Sequence, residues 1–170
     1  IYDNIRKFVV FLLRANFDEL MVVLGAILIG VPLPYLPIHI LIINLMTDSL
    51  PAMALAMEKP EPNVMRRPPR DPEQHILHGE VTFIVLAAIV ATIAAFHVFF
   101  TGFNAEGVDL GRTLTVVTSI LFELTLVFTC RSRRSLFSIG PFSNHYLLGA
   151  VAIAFGLLLV LLYTPIAPIV

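Results

Sequence analysis

The chain has 170 residues, 58% of them hydrophobic and 14% charged, with a formal net charge of −1 and a mean hydropathy of +0.89. That balance excludes an ordinary water-soluble domain and points to an all-α, polytopic membrane helical bundle. The near-neutral charge gives no reason to expect a nucleic-acid partner, and the single cysteine, Cys130, excludes an internal disulfide and is expected to serve as a packing residue.

The chain opens on Ile-Tyr-Asp-Asn-Ile-Arg-Lys, with neither an initiator Met nor a signal peptide, and reads as the continuation of a longer polypeptide. Residues 1–34 are expected to form one long helix. Ile1, Ile5, Phe8, Val9 and Leu12 recur at helical spacing, as in a stalk that enters a membrane. A polar waist follows at Arg14, Asn16, Asp18 and Glu19, flanked by apolar residues on both sides, so one span over about 8–31 with buried polar groups is expected. The uncharged turn Val31–Pro37 leads into a second span, 36–57.

That second span carries Asn44, Thr47 and Asp48 at its centre. Their i, i+3 and i+4 spacing places three oxygen-bearing side chains within one arc of a helix. Pro51 removes an amide donor and crowds the Thr47 carbonyl, which adds a backbone oxygen to the same arc. An ionised Asp at this depth is disfavoured by about 2.5–3.5 kcal/mol on insertion scales, and a bound cation would compensate for it.

Residues 58–79 hold five of the 12 prolines and four basic residues, Lys59, Arg66, Arg67 and Arg70, and read as a water-exposed loop. His75 and His78 are expected to be solvated residues of that loop, and His39 and His97 to sit near span ends. A third span, 81–103, has no charged residue. A short polar turn over Thr101–Arg112, with Glu106 and Asp109, is expected before a fourth span, 114–130, interrupted only by Glu123. The fifth span is 146–163. Arg6 and Lys7, the four basic residues of the Pro-rich loop, and Arg131, Arg133 and Arg134 all fall on one side. Nine of the 11 basic residues thus imply a cytoplasmic N-terminus.

Buried acids therefore occur in three spans: Asp18 and Glu19, Asp48, and Glu123. Asn16 and Glu19 repeat the i, i+3 spacing of Asn44 and Thr47, so two helices each set an amide beside a carboxylate. Carboxylates that face one another without a cation favour protonation, so a proton and a metal ion are expected to compete for them. Counting one oxygen for each Asn and Thr and one or two for Glu19, Asp48 and Glu123 gives about one site for a hard cation that takes roughly 6–8 oxygens. No thiolate set or paired imidazole favours a soft metal. Arg14 and Asp18, four residues apart, are expected either to form a buried ion pair or to separate, with Arg14 reaching the interface and Asp18 joining the acids.

Three motifs give the chain a resemblance to the C-terminal membrane region of P-type cation-transporting ATPases of the calcium-pump group, from the fifth to the ninth membrane helix. They are IYDNIRKF with ANFDEL, INLMTDSLPAMALAM followed by MRRPPR, and FELTLVF followed by RRSLF. The resemblance implies that Asn16, Glu19, Asn44, Thr47, Asp48 and Glu123 are ligands of a transported Ca²⁺. Arg14 and Asp18 depart from the animal calcium-pump pattern, as do Leu126 and Thr129. It further implies that ATP and Mg²⁺ act only through domains absent from this chain, which would be inactive alone. No catalytic residue is then expected here. The implied partners are the lipid bilayer and the remaining helices and cytoplasmic domains of the same pump, with Arg66, Arg67 and Arg70 as contacts to the phosphorylation domain. The implied location is the cell membrane. The alternatives are a stand-alone cation channel or exchanger and a non-catalytic membrane scaffold.

Overall fold

A computed structural model of the chain describes residues 2–58, 76–77, 79–131, 140 and 142–164. Most of the Pro-rich loop, including Lys59, Arg66, Arg67, Arg70, His75 and His78, lies outside the described residues, as do Arg133, Arg134 and residues 165–170. Every described element is helical: α1 (Tyr2–Ile29), α2 (Pro37–Thr47), α3 (Leu50–Ala56), α4 (Val81–Glu106), α5 (Val108–Thr129) and α6 (His145–Tyr163).

By length and composition, four helical units among the described residues can cross a membrane: α2 with α3 taken together, α4, α5 and α6. Helix α1 is long enough at 28 residues, about 42 Å, but its charged waist sets it apart from the other four. Apolar side chains cover the outside of the bundle. Leu28 is 86% exposed, Leu45 68% and Ile93 65%, as a hydrocarbon environment requires and water would penalise.

The second span is broken. Helix α2 ends at Thr47, Asp48 is its C-cap, and α3 restarts at Leu50 with Pro51 in its first turn. Proline is tolerated there because an amide in the first turn has no intrahelical acceptor. The expected polar turn over Thr101–Arg112 contracts to one residue. Helix α4 runs through Glu106 and α5 begins at Val108, with Gly107 between them at φ 99°. Only a residue without a Cβ adopts that conformation without strain, and this allows two helices to reverse in so little chain. The same hairpin is held close by a second glycine contact. A Cβ on Gly102 would stand 2.9 Å from the Gly111 backbone, and one on Gly111 would stand 2.9 Å from the Phe99 carbonyl oxygen. Small residues at a membrane helix interface allow such an approach, and van der Waals packing then holds it.

Two apolar clusters stack along the bundle. One joins Val22, Ile43, Met46, Ala95, Val116, Ile120, Leu124, Ala154 and Leu158 with Tyr35. The other joins Phe11, Ala52, Leu55, Leu126, Val127, Cys130, Leu147 and Ala150 with Ala54. Polar residues separate the two clusters on α1, at Arg14 to Glu19, and at the α2 break, at Thr47 and Asp48, while on α5 Glu123 falls in the last turn of the first cluster, between Ile120 and Leu124. The apolar periodicity of each helix thus places its polar interruption at one common level.

Candidate intramembrane site

The polar layer is built from α1, the α2–α3 break and α5. Thr47 and Glu123 are fully buried, Asp18 and Glu19 are 5% exposed, Asn44 and Asp48 are half-buried and Asn16 is exposed. Asn44 Nδ2 donates to Glu19 Oε2 at 3.2 Å and to the Ile40 carbonyl at 3.0 Å. Asn16 Nδ2 donates to Asp48 Oδ2 at 3.1 Å and to the Leu12 carbonyl at 2.8 Å. Two amides on different helices therefore each hold the other helix's carboxylate, a reciprocal pairing that fixes α1 against the break. The spacing argument set an amide beside a carboxylate on each helix; the structure pairs them across helices and turns the amide N–H groups toward the acids.

Thr47 Oγ1 donates to the Ile43 carbonyl at 3.0 Å and lies 3.5 Å from Asp48 Oδ1. The Asp48 amide still bonds to the Asn44 carbonyl at 3.0 Å, so the last turn of α2 is intact and the chain departs from helix just beyond it. Glu123 differs from the others. Both of its carboxylate oxygens are buried with no hydrogen-bond partner among the described residues. The Thr47 hydroxyl and the carboxylates of Asp18, Glu19 and Asp48 stand near it. The six residues singled out from the sequence thus gather in one layer. Among the described residues, however, no three His, Cys, Asp or Glu side chains form a ready metal-binding cluster.

Arg14 does not pair with Asp18. Its guanidinium is 3% exposed, donates from Nη1 to Cys130 Sγ at 3.0 Å, lies 3.6 Å from Glu80 Oε2 and stacks over the Phe83 ring at 3.5 Å. The i, i+4 spacing permitted the pair, but a thiol, a carboxylate and an aromatic face from α4 and α5 claim the guanidinium instead. Cys130 is consequently a polar contact as well as a packing residue. His39, expected near a span end, is buried, and its Nδ1 accepts from the Leu36 amide at 3.3 Å. Tyr35 is buried and hydrogen-bonded to Ser119 of α5.

A second polar network closes the end of the bundle where α3 stops, and sequence reasoning missed it. Arg131 Nε and Nη2 donate to Glu58 Oε2 and Oε1 at 2.9 and 3.0 Å, a bidentate pair. Arg131 Nη2 also donates to Ser143 Oγ at 2.6 Å. Asn144 Nδ2 donates to Glu58 Oε2 at 2.8 Å while its Oδ1 caps α6 by accepting from the Leu147 amide at 3.0 Å. Asn4 Nδ2 binds the Glu58 and Ala56 carbonyls at 2.7 and 3.0 Å. Only the cap was legible, as an Asn just before an apolar run. Ser143 lies 12 residues from Arg131, but the partners of Glu58 and Asn4 lie 52 to 86 residues away, and no local pattern links them.

Fold and site together define a helical membrane unit with an acid and amide layer at mid-bundle. The family model described as the C-terminus of cation-transporting ATPases matches residues 32–170, and the chain belongs to that family. It is 44% identical over 169 residues to a calcium-transporting ATPase of Bacillus subtilis, covering 97% of this chain and 19% of that protein. Calcium-transporting ATPase 1 of Bacillus cereus is 36% identical, with 90% of this chain and 19% of the relative covered. A probable cation-transporting ATPase F of Mycobacterium tuberculosis is 36% identical, with 89% and 17% covered. The chain thus spans about a fifth of the length of the curated relatives it matches, and corresponds to their membrane C-terminal region.

Proposed function

We propose that this chain is the membrane part of an ATP-driven pump that binds Ca²⁺ between its helices and moves it out of the cytoplasm in exchange for protons. Asn16, Glu19, Asn44, Thr47, Asp48 and Glu123 are the proposed ligands. The observation that carries the reading is Glu123, a carboxylate removed from water with no hydrogen-bond partner on either oxygen among the described residues. Such a group costs several kcal/mol, on the order of 3–5, when left uncompensated, and a cation or a proton relieves the cost.

The amide pairings support the same reading. Asn16 and Asn44 now offer N–H groups to Asp48 and Glu19; turning each amide by half a rotation offers the oxygen instead and frees both carboxylates for a hard cation. The helix break at Asp48 adds backbone carbonyl oxygens at the same level, a use of irregular backbone seen where it lines an ion path. ATP and Mg²⁺ act through the rest of the protein, the N-terminus of this chain is cytoplasmic, and the cell membrane is the proposed location.

The test is Asp48→Asn in the full-length protein. Calcium-dependent phosphorylation by ATP is expected to be lost while the protein still folds, because the amide keeps the shape and removes the charge. Unchanged apparent calcium affinity would remove Asp48 from the site. Calcium flux through the reconstituted protein without ATP would replace the pump by a channel or exchanger.

A further inference from the structure

We infer that Asp18 is a further ligand of the transported cation, closing with Glu123 the α5-facing side of the polar layer. The inference rests on the pump reading above and extends its ligand set to a residue at which the chain departs from the animal calcium-pump pattern.

The packing register places the two acids opposite each other. Arg14 of α1 contacts Cys130 just beyond α5, Phe11 shares a cluster with Val127, and Val22 shares the other with Ile120 and Val116. Rising numbers on α1 therefore meet falling numbers on α5, and the two helices are antiparallel. Asp18 lies one turn before Val22, and Glu123 lies one turn after Ile120. Asp18 stands between Phe11 of one cluster and Val22 of the other, and Glu123 stands in the last turn of Val22's cluster, just before Phe11's begins at Leu126. Asp18 is also about 100° round α1 from Glu19, so while Glu19 reaches Asn44 of α2, Asp18 is directed elsewhere.

Asp18 is 5% exposed, and among the described residues no Lys, Arg or His forms an ion pair with it. Arg14, one turn away, is engaged by Cys130, Glu80 and Phe83. An acid withdrawn from water opposite a second acid whose oxygens have no hydrogen-bond partner among the described residues is an oxygen donor set for a divalent cation. Two oxygens from Asp18 would raise the supply at the layer without any further helix.

The experiment measures equilibrium binding of ⁴⁵Ca²⁺ to the purified full-length protein, and its thermal unfolding with and without Ca²⁺, for Asp18→Asn, Asp18→Ser, Asp48→Asn and, as a distant control, the exposed Asp109→Asn. Asp18→Asn is expected to weaken calcium binding about 10–100-fold, the range for losing a group that supports a metal site. It should shrink the calcium-induced rise in melting temperature while leaving the calcium-free melting temperature equal or higher, since a buried repulsion is removed. Calcium affinity unchanged in Asp18→Asn but lost in Asp48→Asn overturns the inference and leaves the pump reading standing. Calcium affinity unchanged in both variants overturns the pump reading itself. A lower calcium-free melting temperature with unaltered affinity, or failure of both Asp18 variants to fold, makes Asp18 structural and also overturns the inference.

Discussion

Glu123 and Glu58 are two glutamates withdrawn from water in the same bundle, and their surroundings are opposite. Glu58 receives Arg131 at two oxygens and Asn144 at one; Glu123, more deeply buried, receives nothing on either oxygen from the described residues. The first environment is what folding requires of a buried acid. The second is unfavourable for folding unless a group outside the described residues, a proton or a bound ion compensates it. The difference separates a glutamate that holds helices together from the one proposed above as a ligand, although both are buried glutamates on or beside membrane helices.

Breaking the satisfied end should have the largest effect on stability. Arg131→Ala leaves the Glu58 carboxylate without its bidentate partner and is expected to destabilise the fold by about 3–5 kcal/mol, read as a large drop in melting temperature with calcium affinity little changed in whatever fraction stays folded. An Arg131→Met, Glu58→Leu double variant should recover much of that loss, because it removes both charges together. Strictly additive losses would show that the pair is not coupled.

Gly111→Ala tests whether the helix hairpin is as tight as the contact distances require. Its new methyl would meet the Phe99 carbonyl oxygen at 2.9 Å, and overpacking of this kind costs about 1–3 kcal/mol. The effect should appear in thermal unfolding and spare calcium binding.

The contrasting change at the unsatisfied end is Glu123→Gln, expected to leave calcium-free stability unchanged or raise it by about 1 kcal/mol or less, since a neutral amide is cheaper to bury than an unpaired charge. Calcium-induced stabilisation should fall sharply. A marked loss of calcium-free stability would mean that Glu123 is a structural acid like Glu58, and the comparison would collapse.

The smallest effect is acid dependence. Burial pushes the Glu58 carboxyl up, but hydrogen bonds from Arg131 and Asn144, with the Arg131 charge, outweigh it and hold it below its ordinary 4.5. A depressed acid binds fewer protons when folded than when unfolded. Its stabilising contribution is therefore complete above the unfolded value and is lost as pH falls through the lower folded one. Melting temperature should decline below about pH 4.5, and the decline should flatten in Glu58→Gln. An unaltered slope in that variant would show that the Arg131 pair does not set acid stability.

The sequence by itself determined the class of fold and the level of the polar layer. Each of these depends on local periodicity: an apolar run states how much helix is buried, and a polar interruption states where along it the site falls. Pro51 likewise announced the break at Thr47 and Asp48. Tertiary structure decided who pairs with whom. Asn16 binds the acid of the broken span rather than its own helix's Glu19, Arg14 turns from Asp18 to Cys130 and Glu80, and Glu58 collects partners from α1, the end of α5 and the start of α6. The i, i+4 rule gives only the pairs one helix can make. A buried charge settles on whichever partner compensates it best among all the helices that surround it, and that choice exists only once they are packed.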